Sequence, residues 1–285
     1  MFTGQENFQL ILLGTGCPSV DVDRYGPANL VDAGPNSRLL VDCGAGVTHR
    51  LLEAGCPGSE IDALLLTHLH SDHIVDLFQL IISSWHQGRK TSQKIYGPRG
   101  TKKFVNGLMK LWGPELKQRV AYEKRPSVEA LNVEVSEISD GDKLIFGKTE
   151  VQVIAVNHQP VKHAFGFIFE NAGLRLAISG DTTYCPSLIQ AAKNSDLLLH
   201  EVLIHHELPV IDGLRSSETV AAMQAYHTIS DQVGKVAHEA KTKKLVLTHF
   251  VPPVFDEKNL INEISKDFDG PIIIGKDLMK LPVGS

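Results

Sequence analysis

Five short apolar runs, each ending in an acid or an imidazole, constrain this chain more than any other feature. They are LLLTH (64–68), VQVIAVNH (151–158), LRLAISGD (174–181), DLLLHE (196–201) and LVLTH (245–249). Runs this short, rich in branched apolar side chains and bounded by Gly, Asp or Asn, are strand-like. The first and last repeat one form, an apolar strand closed by Thr-His. A polar side chain at the mouth of a buried strand is costly unless it finds a partner. Five such ends are therefore expected to converge on one site where strand ends and loops meet.

Further strand-like runs cover Phe8–Leu13, Leu39–Val41, Val133–Ile138 and Phe165–Phe169. Turn signals at Asp140-Gly141-Asp142, Phe146-Gly147-Lys148 and Asn171-Ala172-Gly173 make the stretch from Glu137 to Ile178 antiparallel. Ile74, Leu77, Phe78 and Ile81 follow helical spacing, as do Val220, Met223, Gln224 and His227, and Gln232–Ala240 reads as another helix. The class is α/β. With 285 residues, 42% of them hydrophobic, and no Pro- or Ser-rich linker, the chain is expected to form one domain over 1–285.

No apolar run approaches the roughly 18 to 20 residues of a membrane span, and the start lacks the basic and apolar regions of a signal peptide. A soluble, cytoplasmic protein with no membrane partner is expected. Cys17, Cys43, Cys56 and Cys185 show no CxxC spacing, which points to reduced thiols. The net charge of −5 argues against general coating of nucleic acid. Residues 88–125 differ: eleven basic side chains face Glu115 and Glu123, a local balance of about +9. We read this segment as a basic insertion, either a solvated face or an attractor of anions.

His68-x-His70-x-Asp72-His73 sets four donors in six residues, with Ser71 or Asp72 placed to cap the next helix. One histidine of this kind is ordinarily a hydrogen-bonding residue, but four donors together cannot all be core. Zinc takes N and O donors at about 2.0 to 2.2 Å. So short a turn cannot wrap all its donors around one ion, so two ions sharing distant ligands are expected, with His158, Asp181 and His249 as candidates. An aspartate such as Asp181 can bridge two cations, and paired metals activate water for hydrolysis.

These residues, in this order along nearly the whole chain, resemble the metallo-β-lactamase superfamily. The match comprises HxHxDH, then His158, Gly180-Asp181-Thr182 and Thr248-His249-Phe250. Finer matches resemble the ribonuclease Z and arylsulfatase-like branch: LGTG (13–16), LVDCG (40–44), THLHSDH (67–73), SGDT (179–182), His200-Glu201, AYHT (225–228) and LTHF (247–250). The resemblance implies a four-layer αβ/βα sandwich. It implies that His68, His70 and His158 hold one zinc and Asp72, His73 and His249 the other, with Asp181 bridging and manganese or iron as alternatives. Asp72, Glu201 and His227 are the implied catalytic residues, with Glu201 pairing with His227 on a following helix as a proton relay. A homodimer is common in such families.

Only 22 residues separate His158 from Asp181, so the long arm typical of transfer-RNA-maturing ribonuclease Z proteins is missing. The expected function is therefore dinuclear zinc hydrolysis of a phosphodiester or sulfate ester by a metal-bridging hydroxide, with a small anionic ester or short nucleic acid as substrate. A lactonase or β-lactamase-like ester or amide hydrolase is the alternative, followed by a mono-iron redox enzyme and a non-catalytic binding protein. Gly14-Thr15-Gly16 lacks the following GxxG or GK[ST] of a phosphate cradle and reads as a tight turn. His163 is a candidate substrate contact or a surface residue. Trp85, His86, Tyr96 and Trp112 are expected to pack, His205 and His206 to be solvent-exposed, and Cys185 to fill space or sense redox state.

Overall fold

In β1 (Gln9–Gly14), Leu10 and Leu12 face one way and Ile11 and Leu13 the other, and the two pairs join different cores. That period-two alternation, apolar on both faces, marks a strand covered on both sides. The computed structural model describes residues 8–284 and repeats the pattern throughout. The first sheet runs through β1, β2 (Ala28–Asp32), β3 (Arg38–Val41), β4 (Ala63–Leu65), β5 (Gln93–Gly97) and β6 (Val133–Glu137). The second contains β7 (Lys143–Phe146), β8 (Thr149–Ala155), β9 (Phe165–Asn171), β10 (Leu174–Ile178), β11 (Leu197–Leu203), β12 (Leu245–Val251) and β13 (Ile272–Ile274). A last strand, β14 (Lys280–Pro282), returns to pair antiparallel with β1, completing two seven-stranded sheets.

Each sheet begins antiparallel and ends parallel. β1, β2 and β3 form a meander, after which β3 to β6 are parallel. β7 to β10 are antiparallel, with the expected hairpins at residues 146–148 and 171–173, and β10 to β13 are parallel. The turn at residues 140–142 is no hairpin and carries the chain from β6 in the first sheet to β7 in the second. Between the sheets lies a core containing Leu10, Leu39, Leu65, Phe167, Phe169, Leu199 and Val246. Outside the first sheet, Ile11, Leu40 and Leu64 pack on α1 (Val47–Ala54), α2 (Ser71–Ile74), α3 (Leu77–His86) and α4 (Thr101–Glu123). Outside the second, Leu198, Leu245 and Leu247 meet α5 (Pro186–Ala191), α7 (Ser230–Ala240) and α8 (Glu257–Ile264), with α6 (Ser217–Gln224) nearby on a largely exposed stretch. Helices, sheet, sheet, helices: this is the four-layer αβ/βα sandwich that the resemblance implies.

Several elements differ from the sequence reading. β2, β5, β13 and β14 are additional strands; β5 belongs to the basic segment and pairs between β4 and β6, and α4 supplies most of the rest. The helix expected across Ile74–Ile81 is two helices, broken at Val75 and Asp76, and its first turn has no side-chain cap. His227 lies in the turn after α6 and not on a helix, because α6 ends at Gln224. No helix among the described residues is long and apolar enough to cross a membrane.

Where the layers meet the histidine turn, backbones touch. A Cβ on Gly44 would lie 2.5 Å from Gly26 C, 2.6 Å from Pro27 N and 2.7 Å from Asp72 O. None of these can swing aside, whereas Gly107 in α4 has nothing within 4 Å. Gly44→Ala is expected to destabilise the fold by about 1 to 3 kcal/mol through overpacking. Gly107→Ala should stabilise it by about 0.5 to 1 kcal/mol through helix propensity. Urea unfolding of the two variants beside wild type checks both signs.

Candidate metal centre

The histidine turn is built on a strand that stops early. After Leu65 the chain leaves β4, and Asp42, at the end of β3, holds the turn in place. Its Oδ1 accepts Thr67 N at 2.8 Å, and its Oδ2 accepts Thr67 Oγ1 at 2.8 Å and lies 2.8 Å from His73 Nδ1. Thr67 Oγ1 in turn lies 3.0 Å from His68 Nδ1. With both Nδ1 atoms engaged, the Nε2 atoms of His68 and His73 turn inward, buried and without a hydrogen-bond partner. Across the seam, Phe165 N donates to Thr67 O at 2.9 Å, tying the turn to the second sheet.

The second sheet delivers three more donors. His158 follows β8, its Nδ1 donating to the Tyr226 carbonyl at 2.7 Å. Asp181 follows β10 after Gly180, whose φ of 59° and 2.4 Å clearance between its would-be Cβ and Phe165 O require glycine. His249 is not at a strand end. The register runs Glu201↔Thr248 and then Val202↔Phe250, so His249 is the extra residue of a bulge inside β12, with φ 47°. Such bulges re-aim a side chain. His200 and Glu201 likewise lie within β11, which continues to Leu203.

Asp181 Oδ2 occupies the centre. It lies 3.4 Å from His73 Nε2 and His249 Nε2, and 3.9 Å from His68 Nε2 and His158 Nε2. His70 Nδ1 is 3.2 Å from His158 Nε2, and Asp72 Oδ2 is 3.3 Å from His249 Nε2. Two donor groups meet metal-ligand spacing: His68, His70, His158 and Asp181, and Asp72, His73 and His249. All seven expected ligand residues are thus brought together, divided as the resemblance divides them. Burial lowers the proton affinity of His68, His70 and His158, with the neighbouring His73 adding to it at His68 and His70. For Asp181, burial is outweighed by His249, His73 and His68, which hold the carboxyl well below its usual range. His73 is driven well above the usual imidazole value, because Asp181 and Asp42 outweigh its burial. Asp72 is held low against its burial, chiefly by the hydrogen bond from His249.

Glu201 and His227 form a buried pair beside this cluster. Glu201 Oε1 accepts from His227 Nδ1 at 3.0 Å, Thr182 N at 3.0 Å and Thr228 N at 3.2 Å. Burial pulls the imidazole down, but Glu201 more than offsets it and lifts His227 to about 8. With Nδ1 committed, Nε2 is left as its exchanging nitrogen. His227 also comes within metal-ligand spacing of Asp181 and His249, a proximity the sequence does not suggest.

Asp42 is the functional residue that sequence reasoning leaves without a role, although Leu39-Leu-Val-Asp42 repeats the pattern of an apolar run closed by an acid. Other candidates fall outside the centre. His163 is exposed on the turn after His158. Thr15 and Gly16 give their backbone N–H groups to Asp277 and Tyr25, so the loop is a structural turn. Trp85 donates to Ser127 O, Tyr96 packs edge-on to Phe146, Trp112 stacks on Phe78, and Cys185 is buried beside Ser187. Within the basic segment, Arg89 is buried and bound to four carbonyls, while Lys102, Lys103, Lys110 and Lys117 are exposed on α4.

The donor set, five imidazoles and two carboxylates without a thiolate, suits zinc and also manganese or iron. The inward, unpartnered Nε2 atoms of His68 and His73 are what a bound cation satisfies.

Residues 8–251 match the family model described as anti-Pycsar protein Apyc1. Ribonuclease Z of Mycobacterium bovis is 34% identical over 280 residues, covering 96% of this chain and 98% of that protein. Ribonuclease Z of Mycolicibacterium gilvum is 34% identical over 282 residues, covering 96% of each. Among solved structures, the metallo-beta-lactamase fold protein YhfI from Bacillus subtilis superposes with TM-score 0.74 at 23% identity, covering 96% of this chain and 98% of that one. The short form of human tRNase Z superposes with TM-score 0.70 at 20% identity, covering 97% and 100%. The chain therefore belongs to the metallo-β-lactamase superfamily, in its ribonuclease Z branch, and to the family that the anti-Pycsar protein Apyc1 model defines.

Proposed function

We propose that this protein is a metal-dependent phosphodiesterase working with two zinc ions. The observation that carries the reading is the central position of Asp181 Oδ2, within 3.9 Å of four imidazole nitrogens drawn from both sheets. His68, His70 and His158 would hold one ion and Asp72, His73 and His249 the other, with Asp181 shared between them. Bound there, such ions would supply an activated water and stabilisation of charge developing on the substrate.

The chain's own residues supply the remaining chemistry. Asp42 and Thr67 fix the rings of His68 and His73 and keep them from rotating out of register. Glu201 holds His227 by Nδ1, so that a protonated imidazole presents Nε2 toward the leaving oxygen. The exposed lysines of α4 favour an anionic substrate over a neutral lactone or lactam. The ribonuclease Z names of relatives that align over almost their full length support a phosphodiester over a sulfate ester. Only a short turn and the β9–β10 hairpin separate His158 from Asp181, which favours a short or small diester over a clamped transfer RNA.

Purified protein should contain at least two zinc ions per chain, as this reading requires, and should hydrolyse bis(p-nitrophenyl) phosphate faster than p-nitrophenyl sulfate, a lactone or a cephalosporin. A protein carrying two zinc ions that turns over only the sulfate or the lactone would overturn the reading, and efficient cleavage of precursor transfer RNA would overturn the preference for small diesters. Asp181→Ala is expected to lose both bound metal, measured by elemental analysis, and turnover. His227→Ala should keep its metal while kcat falls about 10²- to 10⁴-fold for a poor leaving group, the range for a lost general acid. Because His227 is protonated below about 8, kcat for an alkoxide leaving group should fall as pH rises through that value or somewhat below it. A p-nitrophenoxide leaves without a proton, and its rate should show little of that decline.

A further inference from the structure

We propose that His205, His206 and Glu263 form a second, separate site for a single divalent transition-metal ion of the zinc type. The two histidines lie in the one-turn 3₁₀ helix His205–Glu207 directly after β11, and Glu263 lies in α8. One ligand atom from each falls within 4.8 Å of the others. No residue of this trio belongs to the centre around Asp181.

One unsatisfied oxygen and the histidine geometry around it point to a cation there. Glu263 Oε2 is buried and accepts no hydrogen bond, although its side chain is 17% exposed overall. A buried carboxylate oxygen without a donor is unfavourable, and a cation removes the cost. His206 Nδ1 lies 3.8 Å from that same oxygen, and the His205 and His206 rings meet edge to face with centroids 5.1 Å apart. Ligands at about 2.0 to 2.2 Å from one ion are separated by roughly 3 to 4 Å, so the trio closes on an ion with small side-chain rotations. Two imidazoles and a carboxylate, completed by water, are a zinc donor set.

The surroundings give the site a purpose. His205 Nδ1 is 3.2 Å from Ser230 Oγ at the start of α7, and both Glu207 carboxylate oxygens accept Asp256 N ahead of α8. His206 Nε2 is 3.0 Å from Asn259 Nδ2. The 3₁₀ turn is thus already docked on both helices, and an ion would crosslink it to α8. That turn opens the stretch 208–226, buried at Leu208 and largely exposed beyond it, that leads to His227. An ion here therefore anchors the first end of the segment whose second end is held by Glu201.

Wild type, His206→Asn and Glu263→Gln should be stripped with a chelator, dialysed against micromolar free Zn²⁺ and compared by elemental analysis and hydrogen–deuterium exchange. Both substitutions are near-isosteric, and circular dichroism confirms that each folds; if one does not, the other carries the comparison. Wild type is expected to hold one more zinc per chain than either variant. Zn²⁺ should slow exchange across residues 205–216 several-fold in wild type and leave the variants unchanged there. Equal zinc content in all three proteins overturns the proposal, as does occupancy that appears only at millimolar Zn²⁺, which marks an adventitious ion only.

Discussion

The carboxylate of Asp181 among four buried imidazoles is the interaction around which the candidate metal centre is arranged. His68 and His73 come from the first sheet, His158 and His249 from the second, and among the described residues no strand pairing joins the two sheets; the Asp181 oxygen is where their polar ends meet. A carboxylate at that depth is tolerable only because imidazoles and cations can compensate it. While its imidazole neighbours hold Asp181 in the charged form, burial lowers the proton affinity of His68, His70 and His158. A metal binds the unprotonated imidazole, so at these three positions the protein has already reduced proton competition, whereas His73, held well above the usual imidazole value by Asp181 and Asp42, must release a proton to bind a cation.

Holding donors this close is a backbone problem as much as a side-chain one. Asp42 and His249 are buried non-glycine residues with φ near +63° and +47°, and Gly180 adds φ +59° one residue before Asp181. Left-handed conformations of non-glycine residues are unfavourable and persist only where surrounding structure over-determines them. Asp42 N donates to Leu65 O within the first sheet, and His249 is fixed by the β11–β12 bulge. Two rigid sheets therefore impose conformations that a free loop would abandon, and both fall at the metal centre.

Much of this is legible in the sequence, because hydrophobic period and strand-end polarity are local properties. LLLTH and LVLTH mark β4 and β12 and their histidines, and the order of HxHxDH, His158, Asp181 and His249 names all seven ligand candidates. What escapes is non-local. The bulge that turns His249 inward is a property of the pairing between β11 and β12, and no reading of Leu245–Val251 alone contains it. β5 carries Gln93 and Lys94 and looks like part of a basic surface until β4 and β6 flank it. α4 escapes for a different reason: over 23 residues it buries only Thr101, Val105 and Leu116, so it shows little apolar period. Asp42 matches the pattern of a run closed by an acid, but its three bonds to Thr67 and His73 exist only once β3 and β4 are neighbours.

The Glu201–His227 pair shows why position, not stability, explains the polar residues here. A buried ion pair gains little over a well-packed apolar pair, since desolvation offsets most of the attraction. Glu201 Oε1 gathers three donors while its Oε2 has none, an arrangement poorly suited to maximising hydrogen bonds. It is well suited to fixing one ring. Thr182 N and Thr228 N clamp the same oxygen from the chain on either side, one residue from Asp181 and one from His227. The carboxylate thereby sets the distance between Asp181 and His227, the proposed leaving-group acid. His227 can carry a proton next to the candidate metal centre because Glu201 holds it from behind, and that link between the two halves of the chemistry runs through a single oxygen atom.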